Sequence, residues 1–415
     1  MTDAAGAEDR PVPLLHPREG VPPVVADAAA LAQAVARLAQ GTGPVAVDAE
    51  RASGYRYGQR AYLVQLRRAG SGTVLVDPIA CPDLTALGAA IAGEEWVLHA
   101  ASQDLPCLAE LGLRPPRLFD TELAGRLLGL PRVGLGAMVE SVLGLSLEKG
   151  HSAADWSTRP LPEAWLRYAA LDVEVLVELR DVLAERLAAA DKLGWAQEEF
   201  AALAVAPPAT PRRDPWRRTS GVHRLRRPRQ LAVVRALWEE RDAEARRRDL
   251  APGRVLPDAA LLEAALALPQ NRTQLGELDT FRTRAGRRHL DGWYAAVEQA
   301  MTLPEDQLPD LSPPAEGPPP ARSWAERDPA AAQRLAACRT AIAALADEHE
   351  MPAENLLAPD TVRRLAWRPP DPPSQDAVAA MLRAHGAREW QVRLTRAPLS
   401  GALERTRRRQ ALEAG

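Results

Sequence analysis

Proline is the residue that most restricts this chain, because it fixes φ and offers no N–H, so a cluster of prolines ends helices and strands alike. The 415-residue sequence carries 37 of them, and two clusters stand out. Pro207, Pro208, Pro211 and Pro215 fall within 205–218; Pro304, Pro309, Pro313, Pro314, Pro318, Pro319, Pro320 and Pro329 fall within 302–329, with few apolar side chains between them. Both stretches are expected to be extended, partly stiff linkers. The expected plan is a tail over 1–20, a first domain over 21–205, a basic linker over 206–218, a second domain over 219–301, a linker over 302–322 and a third domain over 323–412. With 46% apolar and 26% charged residues the chain is close to globular averages, which excludes wholesale disorder.

A formal charge of −3 excludes a chain that is basic throughout, so any nucleic-acid surface must be local. Cys81, Cys107 and Cys338 have no paired spacing, which argues against a disulfide framework and against a cysteine zinc site. A reducing cytoplasm is the expected location. No basic-then-apolar leader and no run of about 18 apolar residues is present, so neither secretion nor a membrane span is expected. Lysine occurs only at 149 and 192; the arginine bias is read as that of a G+C-rich genome.

The first segment alternates β-like runs (Val45–Asp48, Ala61–Leu66, Thr73–Asp77, Trp96–His99) with helix-period stretches such as Ala28–Ala39 and Pro162–Leu187. That alternation indicates a mixed α/β layer domain. The second and third segments show apolar residues at spacings of three and four, as in Leu231, Val234, Leu237, Trp238 and in Leu335, Cys338, Ile342, Leu345, and read as helical bundles. Leu250–Asp258 also lines up with Met351–Asp360, which suggests a duplicated module in which Asp258 and Asp360 meet free N–H groups at a helix start.

Val45-Ala-Val-Asp48-Ala-Glu50 begins as a buried strand and then places two carboxylates on one face of a sheet. Such a pair either faces solvent at a strand end or shares a divalent cation, which wants several carboxylate oxygens and removes their repulsion. Asp104 follows the apolar strand ending at His99, where a strand-to-helix loop delivers it beside the sheet as a ligand or a helix cap. Tyr168 and Asp172, four apart, share a helix face. His99 is expected to be packed and hydrogen-bonded, Trp156 to be packed, and Asp120 to be an N-cap.

The ordered set D-x-E, D, Y-x-x-x-D resembles the three exonuclease motifs of the DEDD superfamily in its tyrosine-bearing subclass. Phe119-Asp-Thr121, the stretch Gly134–Gly144 and Asp155–Leu161 narrow the resemblance to ribonuclease D over about residues 20–200. The helical segments resemble the HRDC module that accompanies this nuclease, the first through Arg284–Trp293, the second more divergent. The resemblance implies an α/β RNase H-like exonuclease domain, a mixed sheet with helices, followed by two all-α HRDC-like helical bundles. It implies a metal-dependent 3′→5′ exoribonuclease acting on RNA with a single-stranded 3′ end, tRNA precursors being the expected substrates, with two divalent ions, Mg²⁺ or Mn²⁺. Carried over residue by residue, Asp48 bridges the ions, Glu50 and Asp172 complete the nucleophile side, Asp104 holds the second ion through water, and Tyr168 orients the attacking water. Two cations so held activate a water and stabilise both oxygens of an in-line displacement.

Arg212, Arg213, Arg217, Arg218, Arg224, Arg226, Arg227 and Arg229 face a single Asp between 212 and 229, and with Trp216 they suit phosphate contacts plus a stacking surface. Arg287 and Arg288, with Arg282 and Arg284, form a second basic group. The alternatives are a 3′→5′ DNA exonuclease of the same superfamily, since no motif reports the 2′-OH, and a non-catalytic nucleic-acid-binding adaptor, which the full set of carboxylates and the tyrosine argue against. No heptad run or apolar stripe speaks for a dimer, so a monomer is expected.

Overall fold

The structure, a computed structural model, describes residues 11–148, 150–151, 153–208, 210, 212–312 and 317–414. Residues 1–10 of the expected tail, 209 and 211 of the first expected linker and 313–316 of the second lie outside the described residues. The strands are β1 (Val12–Leu14), β2 (Val24–Val25), β3 (Thr42–Arg51), β4 (Ala61–Ala69), β5 (Gly72–Val76), β6 (Glu95–Leu98), β7 (Arg117–Asp120) and β8 (Leu145–Leu147). β1 and β8 pair by themselves; the other six form one sheet in the order β2-β5-β4-β3-β6-β7. β3, β4 and β5 are an antiparallel meander, to which β2, β6 and β7 add in parallel.

Register decides which residues share a face. Asp48 lies opposite Gln65 and Glu50 opposite Leu63, so all four look the same way. The helix Glu163–Glu174 covers that face, setting Ala169 and Ala170 among Leu63, Leu75 and Trp156. The opposite face, with Val45, Val47, Val64 and Leu66, packs against the helix Ala28–Gln40 through Ala34 and Leu38, one turn apart. Asp27 caps this helix by accepting from the Ala30 N–H at 2.8 Å. The single helix expected over 162–187 is two, Glu163–Glu174 and Leu176–Ala189, with the break at Val175 (φ −99°, ψ −9°).

Where described, the expected tail is part of the fold: β1 pairs with β8, Leu14 packs on the main core, and Arg18 and Glu19 pair with Glu178 and Arg67. The second domain also begins earlier than expected, inside the stretch read as a linker. Trp216 is 3% exposed and belongs to a helical core with Leu231, Val234, Leu237, Trp293 and Val297. Asp258 and Asp360 make no capping bond; Asp258 accepts from Arg241 (2.7 Å) and the Ser220 N–H (2.8 Å), and Asp360 pairs with Arg364.

The third segment repeats the succession of the second, a long helix (Pro329–Glu348 against Pro228–Arg248), a one-turn helix (Ala353–Leu356 against Pro252–Val255) and a further helix (Pro359–Trp367 against Asp258–Ala267). It is not a separate body. Trp324, Leu335, Ile342, Leu382, Trp390 and Leu403 belong to the same buried cluster as the sheet residues Val45 and Val97. The Trp390 ring stacks on Trp195 at 4.9 Å and 9°, and its indole N–H donates to Glu199 at 3.0 Å. The buried Lys192 ammonium donates to the Leu127 carbonyl at 2.7 Å and the His349 carbonyl at 2.5 Å, so one cation holds a helix end from each segment. Beside it Gly129 sits at φ 69°, where a Cβ would run into the Glu350 carbonyl.

The second core stands apart and touches the first through the loop 52–60, which joins β3 to β4. The Ala251 N–H donates to the Tyr55 carbonyl (2.9 Å) and Arg254 Nε to the Gly54 carbonyl (2.7 Å), with the Arg254 guanidinium over the Tyr55 ring at 4.0 Å. The Tyr57 hydroxyl donates to Asp242 (3.0 Å) and accepts from Arg246 (3.0 Å), and its ring packs on the second core.

Candidate active site

Three chain segments meet where β3 and β6 end. β3 delivers Asp48 and Glu50. β6 ends at Leu98, after which Ala100 takes the left-handed conformation (φ 55°) and a single 3₁₀ turn, Ala101–Gln103, leads to Asp104. This strained turn is held by Asp120, whose carboxylate accepts from the N–H groups of Ala100 (3.2 Å) and Ala101 (2.8 Å). The same carboxylate caps the helix Thr121–Leu127 by accepting from Glu122 and Leu123. Asp120 is thus the expected N-cap and also a brace for the Asp104 turn. Asp104 caps nothing; its carboxylate, 6% exposed, points at Arg51 instead. The helix Glu163–Glu174 supplies Tyr168 and Asp172, one turn apart and both lining the same cleft.

A carboxylate oxygen from each of Asp48, Glu50 and Asp172 lies within 4.8 Å of the other two. These three, Asp104 and Tyr168 line one cleft of about 470 Å³. So many acids in a partly dry space resist ionisation. Burial raises Asp48 to about 6 and, with the Asp48 charge adding to it, raises Asp104 to about 8, against an ordinary 3.8. Glu50 and Asp172 are pushed well up for the same reasons, burial first and their acidic neighbours second. Burial and the adjacent carboxylates also raise the Tyr168 phenol, which keeps its proton. A hard divalent cation wants this donor set: several carboxylate oxygens around one point, whose mutual repulsion it relieves.

His99 lines the cleft with Nδ1 2.9 Å from the Thr121 hydroxyl, and burial lowers its pKa to about 4, so its ring is neutral at neutral pH. Trp156 is fully buried. Among the expected binding residues, Trp216 is a correction: it is a core side chain of the second domain and offers no stacking surface. Arg217 covers its ring at 4.3 Å and pairs with Asp214. Arg218, Arg224, Arg226, Arg227, Arg287 and Arg288 are exposed. Sequence reasoning passed over Arg51, whose guanidinium lies 3.6 Å from Asp104 in the cleft. Strict alternation sends the residue after Glu50 to the far face, and the signal that could have found it is only an arginine directly following D-x-E.

Residues 22–188 match a 3′-5′ exonuclease family, 230–297 the HRDC domain family, and 317–403 a 3′ to 5′ exonuclease C-terminal domain family. One HRDC domain is therefore evidenced rather than the two expected. Ribonuclease D of Gluconacetobacter diazotrophicus is 34% identical over 340 residues, covering 79% of this chain and 82% of that one. A crystal structure of a protein from Bifidobacterium adolescentis superposes with a TM-score of 0.89 at 39% identity, covering 95% of this chain and 100% of that one. Escherichia coli RNase D, described as an exoribonuclease involved in structured RNA processing, gives a TM-score of 0.67 at 27% identity, over 92% of this chain and 98% of that one. With its exonuclease fold, its acidic cleft and a curated relative matched over most of its length, this chain belongs to the ribonuclease D family of 3′-5′ exonucleases.

Proposed function

We propose that this chain removes nucleotides from the single-stranded 3′ ends of RNA, tRNA precursors among them, as a cytoplasmic monomer using two divalent ions, Mg²⁺ or Mn²⁺. The observation that carries the reading is the convergence of Asp48, Glu50 and Asp172 oxygens within 4.8 Å, with Asp104 and Tyr168 in the same cleft. Asp48 would be shared by both ions, Glu50 and Asp172 would hold the one beside the attacking water, and Asp104 would serve the other. Such ions supply an activated water and charge stabilisation on both oxygens of an in-line displacement. Tyr168, its proton retained and its hydroxyl beside Asp172, would donate that proton or accept through its oxygen to orient a water toward the 3′-terminal phosphodiester. No helix among the described residues is long and apolar enough to cross a membrane. The repeated helix succession of 329–367 supports reading the C-terminal segment as a divergent relative of the HRDC module that has been packed onto the exonuclease sheet.

The test is a time course on 5′-labelled RNA with a single-stranded 3′ tail, beside the same sequence as DNA, with Mg²⁺, Mn²⁺ or chelator. A ladder shortening from the 3′ end on RNA, absent with chelator, is expected, and Asp48→Asn should slow it by on the order of 10²–10³-fold or more. Preference for DNA would move the reading to a DNA exonuclease. Tight binding without cleavage of either would turn it into a binding adaptor.

A further inference from the structure

Arg51 stands where regular strand geometry would not put it. Asp48 and Glu50 share a face of β3, so an unbroken strand would turn the next side chain to the other side. The register with β4 slips at that step, Glu50 pairing with Leu63 but Arg51 with Ala61. The extra residue, Tyr62, lies on β4, and a bulge there interrupts the ladder and raises the local twist at the end of β3 from which Arg51 projects. The outcome is an arginine on the acidic side, its guanidinium 3.6 Å from Asp104 and about a quarter exposed.

The surroundings make that placement informative. Asp48, Glu50, Asp104, Glu148 and Asp172 all line the cleft, and Glu148 has its own partner in Arg167. Among the described lining residues Arg51 is the one permanent cation, since His99 is neutral. Arg51 also lines a second, adjoining cleft of about 270 Å³ with Ala49, Glu50, Ser53, Gly54, Ala153 and Ala154. It therefore stands at the junction between the carboxylates and the space leading away from them. The loop that follows it is clamped by the second domain through Gly54, Tyr55 and Tyr57, which fixes where Arg51 starts from. A guanidinium keeps its charge at any working pH and presents a planar fork that matches two phosphate oxygens. Once a divalent ion neutralises Asp104, Arg51 loses its anionic partner, and the anion brought into the cleft by a nucleic acid is a phosphodiester.

Resting on the nuclease reading above, we propose that Arg51 is the phosphate-gripping residue of the cleft, paired with Asp104 at rest and with a backbone phosphate of the single-stranded 3′ end when substrate is bound.

The experiment uses the full chain with Arg51→Met, which keeps much of the stem, and Arg51→Lys, which keeps the charge. Steady-state cleavage of a single-stranded oligoribonucleotide with Mn²⁺ is combined with fluorescence-anisotropy binding of the same oligonucleotide in Ca²⁺, a hard divalent ion taken up by carboxylates, across a salt series, and with calorimetric Mn²⁺ titration without nucleic acid. Arg51→Met is expected to raise KM about tenfold with kcat nearly unchanged, and to reduce the slope of log affinity against log salt by about 0.7, the loss of one phosphate contact on a single strand. Arg51→Lys should recover much of the slope. Unchanged RNA affinity and slope with altered Mn²⁺ affinity would make Arg51 only the counter-charge of Asp104, and a fall in kcat at constant KM would also overturn the proposal. If the wild type binds but cleaves nothing, the nuclease reading fails on its own, while the anisotropy slope still decides whether Arg51 holds a phosphate.

Discussion

Four acids of the cleft, Asp48, Glu50, Asp104 and Asp172, are held against their preferred charge state, and this has a measurable sign. Asp48 and Asp104 titrate at about 6 and about 8 in the metal-free fold, above their ordinary 3.8. A carboxyl whose folded pKa is raised stabilises the fold most below its unfolded pKa, and that contribution is lost as pH rises through the folded value. The metal-free site therefore weighs increasingly against the fold between about pH 4 and 8, and a cation that needs these groups ionised must displace their protons on the acid side of that window. Mn²⁺ is expected to raise Tm more at about pH 8 than at about pH 5.5, and its binding at about pH 6.5 to release protons. Calorimetry in two buffers of different ionisation enthalpy checks the release, and an equal Tm shift at both pH values would contradict the assignment.

At the scale of elements, the loop 52–60 carries the strain of two allegiances: it begins one residue past Arg51 and it is the dock of the second domain. Tyr57→Phe combined with Arg254→Ala removes both Tyr57 hydroxyl bonds, the Gly54 bond and the ring contact. At roughly 0.5–1.5 kcal/mol per hydrogen bond, that is enough to undock a small interface, and small-angle scattering should show a larger radius of gyration. An unchanged radius would mean that the second domain is held elsewhere. The elements also show what sequence could and could not give. Asp48, Glu50, Tyr168 and Asp172 were legible because strand and helix periods alone put each pair on one face. Arg51 was not, since a bulge is a single-residue slip that periodicity cannot report. β1 and β8 were missed because three-residue strands with partners far along the chain leave no alternation to count. Trp216 was misread because its proline-rich, arginine-rich setting describes a linker in composition, while its burial is decided by helices that come later in the chain.

For the whole molecule, the unexpected fact is that the exonuclease sheet and the C-terminal helices share one core. Helical periodicity revealed that residues 329–403 fold as helices, but not what their apolar faces would cover. A chain ending before residue 317 would expose Trp195 and strip Lys192 of one of its two carbonyls. Such a truncation is expected to express poorly or aggregate, and Trp390→Ala in the full chain to cost about 3–5 kcal/mol, measured by denaturant unfolding followed by circular dichroism. Residues 212–312 alone, with their own core around Trp216 and Trp293, are expected to unfold cooperatively; a non-cooperative melt would show that the second core leans on the first.

One consequence of that shared core concerns the domain lying between its two parts. Both ends of the second domain return to a single body, so it is tethered twice, once through 206–214 and once through 309–323. When its grip on Tyr55 and Tyr57 breaks, the domain remains joined to the rest of the chain at both of its ends. Its return is an intramolecular event at roughly millimolar effective concentration, so redocking onto the loop 52–60 proceeds at a rate that does not depend on how much of the protein a cell contains.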